Sequence, residues 1–440
     1  MLIILKKKVI SLIVLMMMGL LLAISPGIAQ QPFKGIKLTV PLQSLPSTTF
    51  LPEILPQFEK ETGMKVELQF LPEITLWDKI VADFATRAGV YNVVNIDFMF
   101  IPEFAEAGWI LPIDEYITPE YKIDDVIDKY LESGMYEGKI YGFPVYGEST
   151  ALWYRKDLFK EAGINPPDTL YELWDTAVKF YQPPDLYGIA LRGMRGSSMN
   201  IYLWTMFLRG FGGQFFDKNW NPVFNSPQGV YATNFYRDLM KGYGPPGGSS
   251  FTWDDTALVL MAGSVAMIIE ATDFVDRIFD PEKSRVYDKL AAALVPAGPA
   301  GRFPSIFTSQ LSISKVGNRT EKQRRASWAF ISWATSKEME LKKALEGKIP
   351  TGVRQSVFEN PQFKEMFGEQ NRPGWLSALS ESLRVADVNY RPRIKEWREI
   401  GDTLGIAVEN VVAGIKSADD ALDEAAQFAR ETLKRSGKLK

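Results

Sequence analysis

The spacing of apolar residues switches between two periods along the first hundred positions, and the switches predict strands and helices in alternation. Positions 36–40 (IKLTV) carry a strand pattern, and over 50–61 Leu51, Ile54, Leu55 and Phe58 fall on one helical face that Gly63 ends. Val66, Leu68 and Phe70 alternate as a second strand. Thr75 with Asp78 three residues on reads as a capping box, ahead of a stripe of Leu76, Ile80, Val81 and Phe84. Positions 93–99 (VVNIDFM) form a third apolar strand ending near Asp97, and 102–107 reads as helix before Gly108. A β-α-β-α-β order predicts a largely parallel sheet covered on both faces. Ligands of such sheets sit beyond the carboxyl ends of the strands. Asp97 is therefore a candidate, while Phe98 and Phe100 at the same end are as readily core.

The alternation breaks at 138–159 (GKIYGFPVYGESTALWYRKDLF), where a short strand pattern stops at Gly147-Glu148-Ser149 and resumes at 151–154. A chain crossing from one lobe to another has this form, and Glu148 at the break, with Tyr146 and Trp153 beside it, suits a polar ligand held between lobes. The bland alternative is a surface glutamate on a tight turn. Beyond the break the pattern returns to helices at 155–162 and 170–180, then a strand at 186–191 that delivers Arg192, and a helix at 199–211 that opens with Asn200. Asp217, Asn219 and Asn221 have the spacing of a calcium loop, but Pro222 and the missing turn glycine favour a hairpin. After a helix at 226–240, a Gly-Pro-rich loop at 243–250 and a helix at 254–262, the strand 264–269 (SVAMII) delivers Glu270, with Asp273 read as a helix cap. Positions 305–314 (SIFTSQLSIS) read as a return crossing through Gln310, and 345–354 as a third extended link. A helix at 320–334 lies between these two crossings, and the chain beyond 354 is helical to Lys440, with a Ser417-x-x-Asp420 cap before the last helix.

Composition then removes whole classes of chemistry. Lys6-Lys7-Lys8, the apolar run 9–24 and Gly27-Ile28-Ala29 make residues 1–29 a secretory signal peptide, with the exported chain starting near Gln30 and no other stretch apolar enough to span a membrane. Cysteine is absent, which excludes a lipid-anchored N-terminal Cys, disulfides and thiol catalysis; histidine is absent too, which excludes a Ser-His-Asp triad and His-ligated zinc. No cofactor or metal is expected. A net charge of -3 gives no reason to expect nucleic acid. With 12% aromatic residues, including 11 Trp and 17 Tyr, flat rings are available for sugar faces, although most must be core.

Several segments in one order carry a resemblance: FEKETGMKVEL, EAGWILPIDEYI, GKIYGFPVYGESTALWYRKDLFKEAGI, LRGFGG, SVAMII, ASWAFISWA and IPTGVRQSVFENPQF. Together they are similar to the bacterial extracellular solute-binding proteins of family 1, the sugar receptors of ABC importers. YGEST, the LRG containing Arg192, DLMKGYGPPGGSS, FISWATSKE and IPTGVRQS resemble the polyol (sorbitol and mannitol) group most. The resemblance implies an α/β, two-lobed periplasmic-binding-protein fold with a ligand cleft between the lobes. It implies three crossovers, near Pro144-Val145, Ser305 to Thr308 and Ile349 to Gly352. Residues 30–144 and 307–350 then form lobe 1, and 145–306 and 351–440 lobe 2. By matching segments it assigns ligand roles to Glu148, Arg192, Asn200, Glu270 and Arg354. Together with Asp97, Tyr146, Ser149, Phe307 and Gln310 these make the candidate ligand set. The polyol receptors lead one to expect tryptophans and an asparagine at the second crossover, where Phe307, Thr308, Ser309 and Gln310 stand here, and this departure implies a wider or more polar pocket. The expected partners are a carbohydrate or polyol and membrane permease subunits, with the receptor a periplasmic monomer. Two alternatives stay open: a secreted glycosidase using Glu148 and Glu270, which needs neither Cys nor His, and a receptor for a quaternary amine or a peptide, against which Arg192 and Arg354 in the cleft would count.

Overall fold

The computed structural model describes residues 31–196 and 199–440; the expected signal peptide and its cleavage site lie outside them. Ten strands run in chain order: β1 (Lys37–Gln43), β2 (Lys65–Leu71), β3 (Val93–Asp97), β4 (Met135–Tyr136), β5 (Lys139–Ile140), β6 (Phe143–Arg155), β7 (Tyr187–Ala190), β8 (Val265–Ala271), β9 (Leu290–Ala293) and β10 (Ile306–Ile313). β1 and β2 pair in parallel, β4 and β5 form a small hairpin, and the main sheet runs β3-β10-β6-β8-β7 with β9 also paired to β6.

The first lobe follows its sequence pattern closely, with three departures. The helix Leu51–Thr62 ends at Gly63 because that residue takes a left-handed φ of 73°, open to glycine at no steric cost. The next helix, Glu73–Thr86, starts directly after Pro72, two residues ahead of the Thr75/Asp78 capping box. β3 stops at Asp97 because that side chain accepts the Met99 N–H (2.9 Å) and turns the chain into the 3-10 helix Phe98–Phe100. The sheet is also less parallel than the β-α-β-α-β order predicts. Only β1 with β2 and β7 with β8 are parallel, because the inner edge of β3 is taken by β10, a strand arriving antiparallel from the other lobe.

β6 is the strand that joins the lobes. Its first half, through Ser149, pairs with β10, and from Thr150 onward it pairs with β8 and β9. At the changeover the two crossing strands are tied together: Ser149 Oγ and Thr150 N–H both donate to the Ser305 carbonyl (2.8 and 3.2 Å), and Ser305 N–H donates to Thr150 Oγ1 (3.0 Å). Gly147 is required here, since a Cβ would lie 2.6 Å from the Tyr130 ring.

The apolar cores divide at the same place. One unites residues 38–146 with 311–349, and a smaller one lies beneath Leu76, Phe84 and Phe104. Two others draw almost wholly on residues 151–433. Three first-lobe side chains, Phe98, Met99 and Tyr130, pack into the larger second-lobe core. The stretch 390–398, an irregular run leading into the first residues of the helix Trp397–Ala413, also reaches across. Arg393 donates to the carbonyls of Ser133 (2.7 Å) and Met135 (2.5 Å), Lys395 pairs with Glu106 (3.1 Å) and Arg398 with Glu103 (3.3 Å).

Candidate functional site

A small cleft of about 80 Å³ opens between the lobes, at the carboxyl ends of β1, β3, β7 and β8 and against the crossing strands. Gln43 ends β1, Glu73 opens the helix after β2, and Asp97 ends β3; from the second lobe come Arg192 after β7, Met199 and Tyr202 on the helix Met199–Gly210, and Ala271 and Asp273 at the end of β8. Tyr146, Glu148 and Phe307 stand on the crossing strands, Arg391 arrives from the 390–398 segment, and Leu45 and Trp253 complete the wall.

Glu148 is the polar centre of this cleft. It accepts hydrogen bonds from the Tyr146 hydroxyl and from the Tyr202 hydroxyl (3.2 Å). Burial first, and then the negative charge of the neighbouring Asp273, hold its carboxyl well above the ordinary range, against the opposing pull of the Tyr146 hydroxyl and Arg192. Glu73 accepts from Gln43 Nε2 (3.2 Å), and desolvation with the neighbouring Asp97 charge pushes its carboxyl from 4.5 up to about 7. Asp97 is raised by burial too, with Arg391 and the Met99 N–H pulling back. Burial thus biases these carboxyl groups toward the protonated form, in which a carboxyl can both donate and accept, as a run of hydroxyls requires.

The two arginines differ. Arg192 is fully engaged: Nε and Nη2 clasp Glu270 at 2.7 and 2.5 Å, and the guanidinium lies 4.5 Å from the Tyr202 ring centre. Burial opposes its charge, but the Glu270 carboxylate overcomes this and keeps Arg192 cationic. Arg391 is 3% exposed, rests against the Tyr390 ring at 4.9 Å and faces the Asp97 carboxyl, yet its Nε–H has no hydrogen-bond partner among the described residues. A buried N–H donor without an acceptor is costly.

The structure brings Asp97, Tyr146, Glu148, Arg192 and Phe307 of the candidate set together in the cleft and places the other five off its wall. Ser149 faces the hinge. Asn200 donates to the carbonyls of Gly193 and Gly405, tying its helix to the helix Trp397–Ala413. Glu270 lies behind Arg192, also accepting from Thr256 Oγ1 and Ala271 N–H at 3.0 Å each. Gln310 turns away from the cleft to Ser133 Oγ and Thr308 Oγ1 (2.9 and 2.7 Å). Arg354 is bonded to the carbonyls of Thr335, Lys122 and Tyr121, at the root of the third link. At the second crossover only Phe307 reaches the cleft, where its ring meets Tyr146 edge-on at 6.0 Å. The departure from the polyol pattern there does not open a wide pocket.

Gln43, Glu73, Met199, Tyr202, Trp253, Asp273 and Arg391 also line the cleft and were not in the candidate set. The strand-end rule that singled out Asp97 applied equally to Gln43 and Glu73. Asp273 makes no helix cap; it faces Glu148 instead. No pattern in the sequence marked Arg391. Glu270 is clasped by Arg192 and is not on the cleft wall, so it does not stand opposite Glu148 as the acid–base partner that glycoside hydrolysis needs.

Two lobes closing a polar cleft across shared strands define a binding protein that holds its solute by both halves. The chain belongs to the bacterial extracellular solute-binding protein family, whose pattern residues 43–340 match. It is 27% identical over 381 residues to a mannitol-binding protein of Pseudomonas aeruginosa, covering 82% of this chain and 85% of that one. Two solved solute-binding proteins of ABC transporters superpose on it. One, from Agrobacterium radiobacter in complex with ribitol, has a TM-score of 0.82 at 28% identity, covering 91% of this chain and 99% of that one. The other, from Agrobacterium vitis with bound D-mannitol, has a TM-score of 0.79 at 29% identity, covering 92% and 99%.

Proposed function

We propose that the chain is the receptor of an ABC importer for a short polyol, binding it without chemistry and presenting it to a membrane permease. Arg391 carries this reading: its buried Nε–H, without a hydrogen-bond partner among the described residues, stands in a cleft lined by carboxyls, tyrosine hydroxyls, the Gln43 amide and the Arg192 guanidinium. A polyol hydroxyl supplies the acceptor, and its own O–H donates onward to Asp97 or Glu73. Tyr146, Glu148, Asp273 and Tyr202 serve the far end of the ligand, and Phe307 and Trp253 cover its carbon chain. The mannitol and ribitol held by the two superposed proteins, and the small cleft volume, support a short open chain over an oligosaccharide. A quaternary amine would meet Arg391 and offer it nothing to bond. The receptor acts as a monomer outside the cytoplasmic membrane, and no helix among the described residues is long and apolar enough to cross one.

The test is thermal unfolding of residues 30–440 with mannitol, sorbitol, ribitol, monosaccharides, betaine and peptides. Ligand at a hundred times its dissociation constant adds about 2.7 kcal/mol, and the expected result is a raised midpoint with one or more of the three polyols. No shift with any of them, after co-purified ligand is removed by unfolding and refolding, overturns the reading.

A further inference from the structure

Behind the cleft lies a second chamber of about 180 Å³, larger than the cleft itself, and the two cavities share Asp97 and Arg391 as a common wall. Its sides come from both lobes. Trp77, Phe100 and Phe104 stand on the first-lobe side, Trp397 and Arg398 on the other. Trp77 and Phe100 meet edge-to-face at 4.9 Å, forming an aromatic corner. Trp397 is 2% exposed, and its indole N–H has no hydrogen-bond partner among the described residues. Arg391, at the partition, is in the same condition. Two buried donors without acceptors therefore bound one chamber, and each burial is unfavourable until something accepts from it.

We propose that this chamber is a second subsite, and that the full solute is a glycosylated alditol. The polyol chain occupies the cleft and a single sugar unit lies beyond the Asp97 and Arg391 partition. The inference rests on the polyol reading and extends it. An aromatic corner suits the apolar face of a pyranose ring, and the Trp397 N–H and the Arg391 guanidinium donate to its hydroxyls. Because the chamber is walled by both lobes, its occupant adds contacts that only the closed arrangement satisfies.

The experiment is titration calorimetry on residues 30–440 with two matched pairs, sorbitol against maltitol and mannitol against 1-O-α-D-glucopyranosyl-mannitol. We expect the glucoside of at least one pair to bind tenfold or more tightly than its parent alditol. Ile74 lines the chamber from an exposed helix position (58% exposed). Ile74→Trp, which fills the space, should weaken that glucoside at least tenfold and change the free alditol less than twofold. Trp397→Phe keeps the ring and removes the donor, and should weaken the glucoside about fivefold with the alditol again unchanged. Should this variant fail to fold, Ile74→Trp carries the test. Alditols that bind while both glucosides bind no better, or not at all, overturn the second subsite and leave the polyol receptor standing. If neither alditols nor glucosides bind, the polyol reading falls and the subsite with it.

Discussion

Arg391 and Glu73 are the residues whose physical state says most about the cleft. Each side chain carries a penalty that solute or mutation can relieve. Replacing Arg391 with Met removes a buried charge with an unpartnered Nε–H from the empty receptor and a charge-assisted hydrogen bond from the loaded one. Such a bond is worth about 1.5–3 kcal/mol, so Arg391→Met should weaken polyol binding by roughly 10- to 150-fold in calorimetry. In the ligand-free protein the same variant should melt no lower than the parent, because hydrophobic replacement of a buried charge is neutral or stabilising. Glu73 makes the complementary case with pH. Its folded-state pKa, about 7, lies above the unfolded value of 4.5. Its stabilising contribution is therefore complete below pH 4.5 and is lost as pH rises through 7. Glu73→Gln has no such loss and keeps a side chain that can bond Gln43. Denaturant melts should show the variant more stable than the parent by about 1–2 kcal/mol at pH 8, allowing for partial exposure, with the difference closing toward pH 4.

Among the elements, the 390–398 segment and β6 divide the work of joining the lobes. β6 is continuous covalent structure, buried from Phe143 to Trp153, and Gly147 lets it pass under Tyr130. The 390–398 segment is the opposite kind of link, tied to the first lobe by polar contacts that must break when the lobes part. Arg393 is its firmest point, with two short hydrogen bonds to backbone carbonyls, whereas the Lys395 and Arg398 ion pairs are partly exposed and weak. Arg393→Met should therefore open the ligand-free receptor. Small-angle scattering should give a larger radius of gyration than the parent, and saturating polyol should bring the two together again. Equal radii without ligand would show that the segment does not hold the lobes.

At the level of the whole molecule, the lobed architecture was readable because each determinant is local. The strand break at Gly147-Glu148-Ser149 and the apolar strand at 264–269 each declare themselves within a few residues. Parallelism was misjudged because it depends on β10, which returns to β3 more than two hundred positions later. The cleft was readable where a strand end pointed at it, as with Asp97 and Arg192. It was unreadable where two segments meet only in space, as with Asp273 against Glu148 or Arg391 against Asp97. Glu270, Asn200, Gln310 and Arg354 show the reverse case, lying off the cleft wall. A polar side chain at a crossing or strand end can serve the scaffold, here as the partner of Arg192 or as a tie between segments.

Phe98, Met99 and Tyr130 pack across the lobe boundary into the second lobe's core, and no solute takes part in those contacts. Adhesion of this kind should bias the ligand-free receptor toward the shut form, so that intrinsic affinity is diminished only by the fraction that is open. A receptor biased in this way gains sensitivity to scarce solute. It also presents the permease with shut but vacant copies, so the transporter's idle ATP turnover should rise with receptor concentration even where there is nothing to import.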